Sequence, residues 1–205
     1  MNSTTEIANA ALIEVGASAI TNLDSDTTTH GDIVRRWYSH TRDAMLRQYT
    51  WNFALARQAL SQDATGPPFE FTYSYSLPTN PYCLRALEMY NSMAKWKVEG
   101  RKLLTDDASV NLKYISRVTN VVDFDDLFTE ALIFRLASNI AIPIKRDKEL
   151  AIKMLEIAEI KAQTARTHDS QEGTYNVMKA RALISPRTGI VSPSSTPVAG
   201  GGTPR

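Results

Sequence analysis

Residues 127–142 read LFTEALIFRLASNIAI, and few folds can accommodate that run. Placed at the α-helical period, its apolar residues fall on every side, interrupted only by Thr129, Glu130, Arg135, Ser138 and Asn139. A helix apolar all round is buried all round. Its length and the charges of Glu130 and Arg135 argue against a bilayer span. Pro143 is expected to break the helix, and a second helical pattern runs from Asp147 to about Arg166. That helix is amphipathic: Ala151, Met154, Leu155, Ala158, Ala162 and Ala165 form one stripe, while Lys148, Glu149, Lys153, Glu156, Glu159 and Gln163 point away. Small residues along the stripe allow a neighbouring helix to approach closely. Residues 123–173 therefore read as a helical hairpin, the rigid centre of the fold.

Residues 1–50 supply further helices. Ser3-Thr4-Thr5-Glu6 is a capping box, Ile7, Ala10, Ala11 and Val15 follow at helical spacing, and Gly16 is a left-handed stop. After a polar loop, a second helix starts near Gly31 and Asp32, with Val34, Trp37, Tyr38, Thr41, Met45 and Gln48 on one side. Arg35, Arg36, Arg42 and Arg47 occupy mostly the other. Over residues 51–122 the period changes to two. Trp51, Phe53 and Leu55 alternate, Phe69 to Ser76 alternate aromatic with polar, Trp96 to Leu104 turn at Gly100, and Val110 to Ile115 alternate again. Cys83 to Tyr90 suit a strand or a short helical turn. From residue 174 to 205 acids vanish and Pro, Gly and Ser accumulate, apart from a possible short helix near 176–183; this stretch reads as an extended or disordered arm. The expected fold is α+β: mainly a helical bundle, with an inserted small antiparallel β unit and a C-terminal arm.

Charge and chemistry narrow the function. Lys+Arg 23 against Asp+Glu 22 leave a formal net charge of +1, unlike a dedicated nucleic-acid binder. Cys83 is the sole cysteine, which excludes an intramolecular disulfide and fits a reducing compartment. The opening MNSTTE lacks a basic and apolar leader, so neither a secretory signal nor a membrane segment is expected. His30, His40 and His168 are not at metal-ligand spacing. Asp24-Ser25-Asp26 resembles the start of a calcium loop, but Thr29 stands where glycine is needed and no glutamate closes it. The carboxylates of Asp123, Asp125 and Asp126 suit a helix N-terminus. Gly200-Gly201-Gly202 precede no helix, and no nucleophile elbow occurs. The arginines of the second helix are interspersed with Asp32 and Asp43 and read as a solvated face or a subunit interface. The aromatic run at 69–75 reads as the buried side of a sheet rather than a base-stacking platform. No catalytic, cofactor or metal residue is expected.

Three local matches, in this order, resemble the tail tubular protein A family, the head-to-tail adaptors of short-tailed bacteriophages. They are Ala10-Ala11-Leu12-Ile13-Glu14-Val15-Gly16 with Ile20-Thr21-Asn22-Leu23; Trp51-Asn52-Phe53-Ala54; and Phe128-Thr129-Glu130-Ala131-Leu132, Leu136-Ala137 and Pro143, with Asp169 and Glu172. The resemblance implies a non-enzymatic virion protein of the tail or neck, present in the host cytoplasm during assembly. It implies a twelvefold ring of copies joining the portal protein to the tail nozzle protein, with DNA passing through the lumen unbound. The helical part would face the portal and the β unit the next tail component. The arm, with Lys179, Arg181, Arg187 and Arg205 as cations and Ile190, Val191, Pro193 and Val198 as apolar anchors, is then expected to order on binding and lash partners together. Competing classes are another connector or head-completion ring protein, a DNA-binding packaging factor using the arginine face, and a tail-borne cell-wall hydrolase.

Overall fold

The capping box forms as written: the Ser3 hydroxyl accepts the Glu6 N–H at 3.2 Å and opens helix α1, Thr4–Glu14. The computed structural model describes residues 3–90 and 92–172. Gly16 follows α1 at φ +65°, where a side chain is strained, and reverses the chain. Asn9 then clamps the returning loop, donating to the Ile20 carbonyl at 2.9 Å and accepting the Ile20 N–H at 2.8 Å. Helix α2, Thr29–Gln48, is capped by the Thr28 hydroxyl. Gly31 in its first turn makes room for Asp26: a Cβ there would lie 2.6 Å from Asp26 Oδ1 and would displace that side chain.

Helix α3, Asp126–Lys145, starts at Asp125, whose carboxylate accepts the N–H groups of Leu127 and Phe128 at 2.9 and 3.0 Å. It does not stop at Pro143. The proline sits in the exposed last turn, where its missing N–H forfeits one bond to the Asn139 carbonyl and the helix continues past it. The reversal comes at Arg146, in the left-handed region at φ +55°, and Asp147 caps helix α4, Lys148–Gln171. By length and composition α3 is sufficient to cross a bilayer, contrary to the reading that it is too short. Its apolarity has another use: α1, α2 and α4 all pack on it. The polar interruptions are tied across the hairpin. Arg135 pairs with Glu159 at 3.0 Å, Lys161 with Glu130 at 2.6 Å, and the Ser138 hydroxyl donates to the Ala151 carbonyl at 2.9 Å. The alanine stripe of α4 is buried as expected.

Six strands lie between α2 and α3: β1 Leu55–Leu60, β2 Tyr73–Ser76, β3 Cys83–Met89, β4 Trp96–Glu99, β5 Lys102–Thr105 and β6 Val110–Ser116. They form two antiparallel sheets, ordered β1-β6-β3 and β2-β5-β4. The β4–β5 hairpin turns at Gly100, φ +58°, the glycine-first pattern of a two-residue loop. Two expectations fail here. Trp51 and Phe53 are not strand residues: Asn52–Ala54 is a 3-10 turn and β1 begins at Leu55, because both rings are claimed by Phe128 of α3. The aromatic run is strand only from Tyr73, since β5 is long enough to pair with residues 73–76 alone. Phe69 is 77% exposed and Glu70 turns at φ +71°. The chain thus has an α+β fold with two cores, one among the helices that also takes in Ile115, the other between the sheets around Tyr75, Leu103, Leu112 and Tyr114.

Candidate functional site

Most residues singled out for chemistry have local duties. Asp125 is a helix cap, and Asp123 and Asp126 beside it are exposed. Asp26 accepts from the Thr28 hydroxyl and the Thr28 and Thr21 N–H groups; those bonds, the Thr28 hydroxyl foremost, hold its carboxyl below the usual range. Among the described residues no cluster of His, Cys, Asp and Glu is suited to a metal ion. Cys83 is buried, and burial pushes its thiol up, so it stays protonated at neutral pH. Three of the four arginines of α2 are engaged within the subunit, and Arg36 is exposed. Arg35 is held by the Leu23 and Asp26 carbonyls and by Asp32, and Arg47 donates to the Leu84 carbonyl at 2.7 Å. Arg42, read as outward-facing, is buried on Asp43, whereas Gln48, read as inward, is exposed. Lys179, Arg181, Arg187, Ile190, Val191, Pro193, Val198 and Arg205 lie outside the described residues, as does the short helix expected near 176–183.

Two surface features remain. The first is an apolar groove of about 640 Å³ where α2, α3 and the start of α4 meet. Trp37, Ile142, Pro143, Ile152 and Leu155 line it, with Asn139 at its base. Trp37 was expected on the buried side of α2, yet it is 38% exposed, and Ile152 is 58% exposed. Hydrogen bonds tie α3 to α2 here: the Asn139 amide donates to the Thr41 hydroxyl at 2.8 Å, which donates in turn to the Trp37 carbonyl at 2.8 Å. Preorganised apolar surface of this kind is what protein interfaces use for their central anchors.

The second is a cleft of about 680 Å³ between β3, β4 and the C-terminal half of α2. At its mouth Tyr82 lies between two guanidiniums, with Arg101 Cζ 4.1 Å and Arg117 Cζ 4.2 Å from its ring centre. Arg101 donates to the carbonyls of Cys83 and Pro78, each at 2.7 Å. Arg117 Nε lies 2.7 Å from Asp43. No sequence signal marked this cluster, because its members are joined only by the fold.

No family model matches the chain, and no curated protein matches it.

The end of α4 is locked to the α2–β1 junction through Asp169. Its carboxylate accepts the Asn52 N–H at 2.9 Å, and the Asn52 amide donates back to the Asp169 carbonyl. Burial, helped by the charges of Glu172 and Asp125, raises the Asp169 carboxyl above its ordinary range despite the Asn52 bond. The folded protein therefore takes up this proton more readily than the unfolded chain. The charged form is a cost at neutral pH that disappears as pH falls through the raised value. Asp169→Asn keeps an acceptor for Asn52 and removes the charge. Its thermal midpoint should exceed the parent's at pH 7.5, with the gap closing toward about pH 4. Asp169→Ala also removes the charge but orphans the Asn52 N–H, so it should lie about 1–3 kcal/mol below Asp169→Asn at either pH. Calorimetry of the variants across that range checks the sign.

Proposed function

We propose that the chain is a non-enzymatic structural protein of a virion: a head-to-tail adaptor whose copies close into a ring between the portal and the tail nozzle. The observation that carries this reading is the apolar groove of Trp37, Ile142, Ile152 and Leu155, set where three helices meet. A ring subunit presents two different surfaces to its neighbours, and closure covers both. A preformed groove suits one of them. The order of the segments around Leu12, Trp51 and Phe128, similar to that of the tail tubular protein A adaptors, supplies the position in the virion and the twelvefold copy number. DNA passes through such a ring without being read. A packaging factor that binds DNA through α2 has less support, because Arg35, Arg42 and Arg47 are engaged within the subunit.

The mass of the full-length protein alone, and after mixing with the portal protein of the same virus, tests the reading. A monomer that becomes a defined multi-copy complex on the portal is the expected result, since a template can drive association by mass action. A protein that never gains mass in the presence of portal sinks it.

A further inference from the structure

The cleft between the sheets shares no lining residue with the helical groove, and its character is different. It touches Cys83, Leu84, Arg85 and Ala86 in succession on β3, and Trp96, Lys97 and Val98 in succession on β4. Side chains alternate between the faces of a strand. A cavity that meets consecutive residues therefore meets the strand's edge. Among the described residues both edges are open, for β3 pairs only with β6 and β4 only with β5.

The two edges are not equivalent. On β3 the Cys83 carbonyl is taken by Arg101 and the Leu84 carbonyl by Arg47. The β4 edge is better placed to pair. Glu99 and Lys102 close a two-residue hairpin, so they form a hydrogen-bonded pair, as Lys97 and Leu104 do beyond them. The alternate residues, Trp96 and Val98, accordingly turn their N–H and C=O groups away from β5, toward the cleft.

Charge selects the occupant. Arg47, Arg85, Lys97, Arg101 and Arg117 line the cleft, and the only lining carboxylate among the described residues, Asp43, is already shared by Arg42 and Arg117. Lys97 has a carboxylate neighbour in Glu99 at 2.8 Å; Arg47, Arg85 and Arg101 have hydrogen bonds to neutral oxygens. This is a strong local excess in a chain whose net charge is +1. Leu77, Leu84, Trp96 and Val98 add apolar wall.

We propose that this cleft seats an extended acidic segment of a partner protein, added as a strand along the free edge of β4. The segment's main chain pairs with Trp96 and Val98, and its carboxylates face the arginines. Strand addition supplies affinity through backbone bonds, and the flanking cations supply specificity. Nucleic acid would use the charge but not the strand edge.

A fluorescent synthetic peptide alternating glutamate with valine, titrated with the full-length protein, is the direct probe. Fluorescence anisotropy should show saturable binding that a lysine–valine analogue lacks. Arg47→Glu and Lys97→Glu should each weaken it by about tenfold or more, as loss of a charged partner across an interface does. Val98→Pro removes an outward donor while the β5 ladder, which uses Lys97 and Glu99, is kept; it should weaken the same peptide without reversing the charge preference. Far-UV circular dichroism confirms that each variant is folded. No binding of the glutamate peptide, binding indifferent to Arg47 and Lys97, or a single-stranded oligonucleotide that displaces the peptide would each overturn the proposal. Unchanged affinity in Val98→Pro would overturn the strand-addition part of it.

Discussion

Phe128→Ala should be the most destabilising single truncation in the molecule, costing about 3–5 kcal/mol. Phe128 is fully buried. Its ring meets Trp51 at 5.0 Å, Phe53 at 5.1 Å and Phe124 at 5.3 Å, all edge-on. Edge-to-face aromatic pairs contribute about 0.5–1.5 kcal/mol each beyond their buried area. The cavity cannot collapse easily, because Trp51 is itself pinned by its indole N–H to the Met45 carbonyl at 3.0 Å. Phe128 belongs to α3, while Trp51 and Phe53 belong to the turn leading into β1, so the loss loosens the attachment of the sheets to the helices. For a chain of this size each kcal/mol lowers the midpoint by about 2–4 °C, giving a fall on the order of 10 °C in a thermal melt. Phe69→Ala is the contrast. That ring is 77% exposed, and its removal should fall within about 0.5 kcal/mol of the parent. A small effect at Phe128 would mean that the aromatic cluster is not the joint between the two halves.

That contrast shows where residue patterns are sufficient and where they fail. Caps are local, so Ser3, Gly16, Asp125 and Gly100 each announce their turn through side-chain chemistry or positive φ, and each stands where its sequence places it. The buried faces of α3 and α4 follow from periodicity because the alanine stripe and the all-round apolar helix have each other to bury against. Alternation misleads where the third dimension intervenes. Trp51 and Phe53 have strand spacing, but Asn52 between them gives its N–H to Asp169, far along the chain, and the backbone coils into a 3-10 turn instead. Phe69 has strand spacing but no partner strand among the described residues. Pro143 is a helix breaker only where its lost bond matters, and in the last exposed turn it does not, so Arg146 makes the corner. The cleft was illegible for a further reason. Arg101 reaches back to Cys83 and Pro78, and Arg117 reaches to Asp43 on another element, so nothing local links them. The groove is half legible: helical spacing puts Trp37 with the buried residues of α2, yet its ring is partly exposed on the groove.

Trp37 also carries the sharper test of assembly. In the ring reading, Trp37→Ala combined with Ile152→Glu leaves the subunit folded and prevents it from forming a multi-copy complex on portal. Both side chains are substantially exposed in the free subunit, at 38% and 58%, so their loss removes little of the core. Their value lies in what they bury on association. Central aromatic anchors of interfaces contribute about 2 kcal/mol or more, roughly a thirtyfold change in affinity each time the contact is made. A buried glutamate in place of Ile152 adds the desolvation of an unpaired charge. Every copy in a ring makes the same contact, so the weakening is repeated around the circle and closure fails as a whole. Val122→Glu supplies the control: Val122 is 67% exposed and apolar but does not line the groove, and its variant should assemble like the parent. Sedimentation with portal separates the cases. If the double variant assembles as the parent does, the groove is not the subunit contact, and the ring reading loses the observation that carries it.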